Sequence, residues 1–259
     1  GLGDVYKRQA VGKPVEGFFG ALPGDPATGG GRPGTIIPNV GRERVAAYVR
    51  KLHEMGFKFA YAMGGPCLGN REYTPEGYRE ILEHLEWLCE IGTDYIIVSN
   101  PFLCELAKRK FPKLGVIVSV VAHVNTVNAL KFWEDLGADI VNLDFMINRD
   151  FPTLRKLVEA ASCEVELLLN DGCLLNCPYR ISDYCFYSHA SSAGGAYSGP
   201  MSYTDTRCPI NKLQDPVWLL RSPWIRPEDL AEYEKIGVKR FKISGREFTT
   251  EKLLKAMRM

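Results

Sequence analysis

The chain has 259 residues, 46% hydrophobic and 24% charged, with 32 Lys+Arg against 31 Asp+Glu. That composition builds a sizeable core and excludes a disordered chain, a collagen and a coiled coil. A net charge of +1 gives no global grip on nucleic acid, and no apolar run approaches the ~20 residues of a membrane span.

Residues 1–9, with the hexapeptide Asp4-Val5-Tyr6-Lys7-Arg8-Gln9, read as a translated sequencing adapter, a cloning scar rather than gene sequence. From residue 10 to 259 a single domain is expected. One rhythm repeats: apolar run, polar loop, amphipathic helix, glycine. The apolar runs span 15–19, 57–63, 95–99, 116–122, 140–143, 165–169 and 240–243. They are nearly continuous rather than alternating, as in parallel strands buried on both faces.

The intervening helices show apolar stripes. They are Val45, Val49, Leu52 and Met55, then Tyr78, Ile81, Leu82, Leu85 and Leu88, then Leu130, Trp133 and Leu136, then Leu154, Leu157 and Val158. Thr74 before Pro75 reads as an N-cap, and Pro101 and Pro227 mark two further starts. Gly56, Gly92, Gly137 and Gly237 fall where a helix must stop and turn.

Strand–helix alternation leaves an open doubly wound sheet or a closed (β/α)8 barrel of the TIM type. No strand leads into a glycine-rich dinucleotide loop. Instead the strands end in polar or reactive residues: Cys67 and Asn70, Ser99 and Asn100, His123 and Asn125, Asp144, Asn170, Ser244 and Arg246. Function spread over many C-terminal strand ends is a barrel habit. Seven strands behind a scar predict a TIM-type barrel lacking its first strand and helix. Two segments break the rhythm. One is the Gly/Pro-rich stretch 20–39. The other is 171–226, read as a Cys-rich mouth insertion without a long helix.

Eight cysteines in a chain with its own core point to reduced thiols, a subset of them metal ligands, rather than to disulfides. Cys89 and Cys163 read as small buried hydrophobes and Cys104 as structural. Cys67, Cys173, Cys177, Cys185 and Cys208 are expected at the mouth. Cys173 and Cys177 share one turn, and Cys185 and Cys208 complete four thiolates, which suit zinc or an iron–sulfur cluster. Cys67 is the alternative fourth ligand. The CxxxCxxC spacing of radical-SAM enzymes is absent.

Among the histidines, His123 ends a strand and is the acid/base candidate ahead of His53 and His84, which sit on helices. His189 is a ligand or acid/base candidate. Asp144 and Glu72 are candidate proton-transfer groups. Arg246 and Arg71 are candidate binders of a carboxylate or phosphate. Ser188 beside His189 makes no catalytic triad.

Several segments resemble the collagenase-like peptidase U-32 family. Glu166-Leu167-Leu168-Leu169-Asn170 followed by Gly172-Cys173 is similar to its strand-to-cysteine segment. Lys242-Ile243-Ser244-Gly245-Arg246 resembles its closing strand, Trp224-Ile225-Arg226-Pro227-Glu228-Asp229-Leu230 the approach to its last helix, and Gly29–Arg32 its glycine-and-arginine loop. The likeness covers most of 14–250, with Cys173 and Cys177 closer together than is usual there. It implies a barrel and a cysteine site. It also implies kinship with iron–sulfur (4Fe-4S) enzymes that hydroxylate RNA bases or small aromatic substrates without oxygen. The family's peptidase label, a partner subunit of the same family, and a structural-zinc binding protein are the other expectations. A cytoplasmic location is expected.

Overall fold

The computed structural model describes residues 15–27, 40–191, 202–245 and 249–258. The scar, the Gly29–Arg32 loop and Arg246 lie outside the described residues. Seven parallel strands form one sheet in chain order: β1 (Gly17–Gly20), β2 (Lys58–Met63), β3 (Tyr95–Val98), β4 (Gly115–Val118), β5 (Ile140–Asn142), β6 (Glu164–Leu168) and β7 (Arg240–Lys242). Between them lie helices α1 (Arg42–Glu54), α2 (Pro75–Glu90), α3 (Pro101–Lys110), α4 (Val127–Asp135) and α5 (Phe151–Ala160). The long β6–β7 connection holds α6 (Arg180–Ser191), α7 (Tyr203–Gln214), α8 (Val217–Arg221) and α9 (Leu230–Lys235), and α10 (Thr250–Arg258) follows β7.

Sequential parallel order is that of a half-closed barrel. Among the described residues β1 pairs only with β2, and β7 only with β6. The sheet nevertheless curls until its edges meet through side chains. Arg240 on β7 pairs with Glu16 beside β1, and the Lys242 ammonium lies 4.4 Å from the Phe19 ring centroid.

The strands are buried on both faces, as their apolar runs predict. Phe59, Tyr61, Met63, Ile96, Val98, Val116 and Leu167 point outward into a core shared with the helix stripes. Ala60, Ala62, Ile97, Ile117 and Ile140 point into the lumen. Lumen space is tight: a Cβ on Gly115 would sit 2.3 Å from the Tyr95 ring. Local signals hold at the helix ends. The Thr74 hydroxyl accepts from the Gly77 amide at 3.1 Å, and Asn100 caps α3. Gly56, Gly92, Gly137 and Gly237 all take the positive φ of a helix stop.

Four expectations are corrected. The run 116–122 is not all strand: β4 ends at Val118, and Ser119 caps a 3-10 turn over Val120–Ala122. The segment 171–226 does contain long helices, α6 and α7, each of 12 residues. Pro227 opens a 3-10 turn ahead of α9 rather than the helix itself. Cys89 is exposed, because Leu85 and Leu88 hold the buried face and the next residue turns 100° away. Cys104, expected to be structural, is buried, and Cys163, expected to be buried, is only partly so, against the outer core. Among the described residues no helix is long and apolar enough to cross a membrane.

Candidate functional site at the C-terminal ends of the strands

Three elements bring three polar side chains together. His123 follows the 3-10 turn after β4 and adopts a left-handed backbone, φ 55°, which is uncommon for a non-glycine residue. Asp144 follows β5 and caps a second 3-10 turn, accepting from the Met146 amide at 3.0 Å. Arg180 opens α6 and reaches back. Its two terminal nitrogens donate to the two Asp144 oxygens at 2.8 and 2.7 Å, a bidentate pair. One of them, Nη2, also donates to His123 Nδ1. The guanidinium lies over the Phe145 ring, 4.8 Å from its centroid.

Burial is deep for the pair and shallow for the imidazole. The side chains of Arg180, Asp144 and His123 are 7%, 3% and 31% exposed. Burial pushes the Asp144 carboxyl up, to about 6, against the Met146 amide and the Asn125 side chain, which favour the carboxylate. The guanidinium favours the carboxylate in the same way, so Asp144 is ionised at neutral pH. One helical turn after Arg180, Tyr184 packs its ring 5.9 Å from that of His123. Burial, then Cys173 and Asp171, push its phenol up, so it stays protonated.

The thiols divide into two neighbourhoods. In the first, Asp171 accepts from the Cys173 amide at 2.8 Å, and the following turn carries Asn176 in a left-handed backbone before Cys177. Helix α7 lies against this turn, with Lys212 Nζ donating to the Gly172 carbonyl at 2.6 Å. Cys208 on α7 is thereby brought near Cys177, and burial and then Cys177 push its thiol up. Burial, then Asp171 and Cys177, do the same to Cys173. A polar seam joins α6 to α7: Ser202 and Thr204 donate to Asp183, and Tyr187 donates to Asp205. In the second neighbourhood, Cys185 on α6 is raised by burial and then by Cys67, in the loop after β2. His189, one turn after Cys185, lies against that same loop; a Cβ on Gly69 would be 3.6 Å from its ring. All eight cysteines are free. Among the described residues no three His, Cys, Asp or Glu side chains stand together at metal-binding distance.

The other candidates disperse. His53 pairs with Asp94 near the surface at 2.9 Å, and His84 is sealed in the outer core. Arg71 pairs with Glu80. Glu72 is buried, with Oε2 lacking a hydrogen-bond partner, and no hydrogen bond joins it to Asp144 among the described residues. Ser99 gives its hydroxyl to the Gly64 carbonyl at 2.6 Å, and Ser188 to the Tyr184 carbonyl at 2.7 Å. In the sequence Arg180 carries no evident role, and Tyr184 reads only as a neighbour of Cys185 placed to shield a cluster from water. Both stand inside or just after the Cys173–Arg180 run, but their partners come from the loops after β4 and β5.

The family model for peptidase family U32 matches residues 37–203. The chain is 33% identical over 218 residues to "Uncharacterized protease MJ1657" of Methanocaldococcus jannaschii, an alignment covering 84% of this chain and 64% of that protein's length. The chain thus spans just under two thirds of that relative. A solved structure titled "The Structure of the U32 Peptidase Mk0906" matches with a TM-score of 0.67 at 20% identity, covering 91% of this chain and 87% of the other. That likeness shows the fold. On the family match and the curated relative, the chain belongs to peptidase family U32.

Proposed function

We propose that the chain is a barrel enzyme of this family with a cysteine-held iron–sulfur centre over its mouth. Cys173, Cys177 and Cys208 are its first three ligands, with Cys185 as the fourth and Cys67 as the alternative fourth. The observation that carries this is that Cys177 lies near Cys173 on one side and near Cys208 on the other, Cys208 being delivered by α7 from 31 positions beyond Cys177. Soft thiol donors in a free state suit iron–sulfur or zinc. The reading rests on donor type and neighbourhood rather than on a formed cage.

When bound, a centre of this kind supplies electron transfer or an open iron as Lewis acid. The chain's own residues do the rest. Tyr184, between Cys173 and His123, screens the thiols from water at the mouth. Arg180 fixes Asp144 and His123 against each other. The resemblance to iron–sulfur enzymes of this kind implies an RNA base or small aromatic compound as substrate, a ring C–H becoming C–OH with the oxygen atom taken from water or a hydroxylated co-substrate and two electrons passed to an acceptor through the centre.

A metal-dependent or unassigned, collagenase-like peptidase is the second reading, favoured by the protease and peptidase names of the two relatives. Against a serine mechanism, the Ser99 and Ser188 hydroxyls are spent on backbone carbonyls. A structural-zinc protein is the third. Absorption spectra and iron, sulfide and zinc content of anaerobically purified protein separate the three. A brown protein with iron and sulfide in equal amounts is expected. Colourless protein holding zinc, or holding no metal after reconstitution, overturns the proposal.

A further inference from the structure

We infer that His123 is held as the neutral Nε2–H tautomer and serves the mouth as a hydrogen-bond donor to a carbonyl or carboxamide oxygen of the substrate, not as a base. This deepens the mouth half of the proposed function and is independent of its metal half.

A guanidinium has donors only and does not deprotonate. Arg180 Nη2 donates to His123 Nδ1, so Nδ1 must present a lone pair. A neutral imidazole with a lone pair on Nδ1 carries its proton on Nε2. The competing acceptor for an Nδ1 proton is Asp144 Oδ2, 3.5 Å away. Its demand is already met: both Asp144 oxygens accept from Arg180, and Oδ1 accepts from the Met146 amide as well. The left-handed turn at His123 presents the ring to this pair, and the Tyr184 ring packs beside it.

The opposite edge of the ring is open. The His123 side chain is 31% exposed, and no hydrogen bond among the described residues engages Nε2. Beneath it the Arg180–Asp144 pair is balanced in charge, so an anion gains little there. A neutral oxygen that gains negative charge during reaction gains most from a fixed N–H donor. Carbonyl and carboxamide oxygens, including those of nucleobases and of peptides, have that chemistry.

Nitrogen-15 histidine labelling tests this directly, because the chain has 4 histidines and His123→Gln assigns the signal. The full chain at neutral pH is expected to show His123 with its proton on Nε2. Acetamide, used as the carboxamide probe, is expected to shift the Nε2–H proton saturably. Arg180→Met is expected to return a mixture of tautomers. An Nδ1–H tautomer or a doubly protonated ring in the unmodified protein overturns the inference, whether or not the variant folds. Absence of a saturable acetamide shift overturns the ligand class. Iron content of the same sample reports the metal half separately, and its loss is expected to leave the tautomer unchanged.

Discussion

Two regions of the molecule use the same four side-chain types to opposite ends. On the outer face of the sheet, Asp25, Arg42, Tyr61 and His84 meet between β2, α1 and α2. At the mouth the set is Asp144, Arg180, Tyr184 and His123. In both, an arginine Nη2 approaches histidine Nδ1, an aspartate lies within 4 Å of each partner, and a tyrosine ring flanks the imidazole. What differs is which partner is sealed. His84 is 1% exposed, packed between Tyr61 and Trp87, with Nε2 buried and unpartnered, while Arg42 is 48% exposed. At the mouth the arginine is sealed and the imidazole is open. The outer set is a staple: the Leu22 amide donates to the Tyr61 hydroxyl, which donates to Asp25, and this pins the loop after β1. The mouth set leaves a usable ring edge. Exposure of one nitrogen, more than residue type, separates a structural cluster from a candidate site.

The largest expected effect tests the sealed arginine. Arg180→Met strands a buried carboxylate and should cost about 3–5 kcal/mol in denaturant unfolding. Arg42→Met loses a half-exposed guanidinium over Trp87 and should cost only about 1 kcal/mol. Equal costs would break the comparison.

The sealed imidazole gives the next effect. Burial, then Arg42, push His84 down to about 3. The unfolded ring takes up its proton near 6.5, so between those values the unfolded state binds more protons. Stability is therefore full above 6.5 and falls as pH drops towards 3, by roughly 2 kcal/mol between pH 6.5 and 5. His84→Phe should flatten that part of the stability–pH curve; an unchanged slope would assign it elsewhere.

The same division runs through the thiols, at smaller cost. Cys104, buried beside the Leu136 carbonyl, should lose about 1–3 kcal/mol as Cys104→Ala with bound iron unchanged. Exposed Cys89 should lose less than about 0.5 kcal/mol. Thermal melts and iron content of both variants check these values, and iron loss from either would unseat the mouth assignment.

Much of the fold is legible in the chain because its strands are buried on both faces and its helix ends carry standard caps. Val45, Val49 and Leu52, or Ile81, Leu85 and Leu88, need no partner's identity to announce a face. Helix α6 is different. Its buried residues are Arg180, Tyr187, Ser188 and Ser191, so it shows no apolar stripe and reads as loop. The α7 start carries a capping box, Ser202 with Asp205, but a proline inside the helix, Pro209, breaks the helical pattern. His123 and Asp144 are legible as strand-end residues. Their partner Arg180 is not, since a buried ion pair between residues 36 apart leaves no periodic trace. The grouping of Cys208 with Cys177 likewise depends on how α7 folds back.

Iron and acid-labile sulfide per chain in Cys177→Ala and Cys208→Ala, prepared anaerobically beside Cys104→Ala, test the metal centre most directly. The first two are expected to lose the centre and the third to keep it. Full, stable iron and sulfide in Cys208→Ala would contradict the grouping on which the proposed function rests.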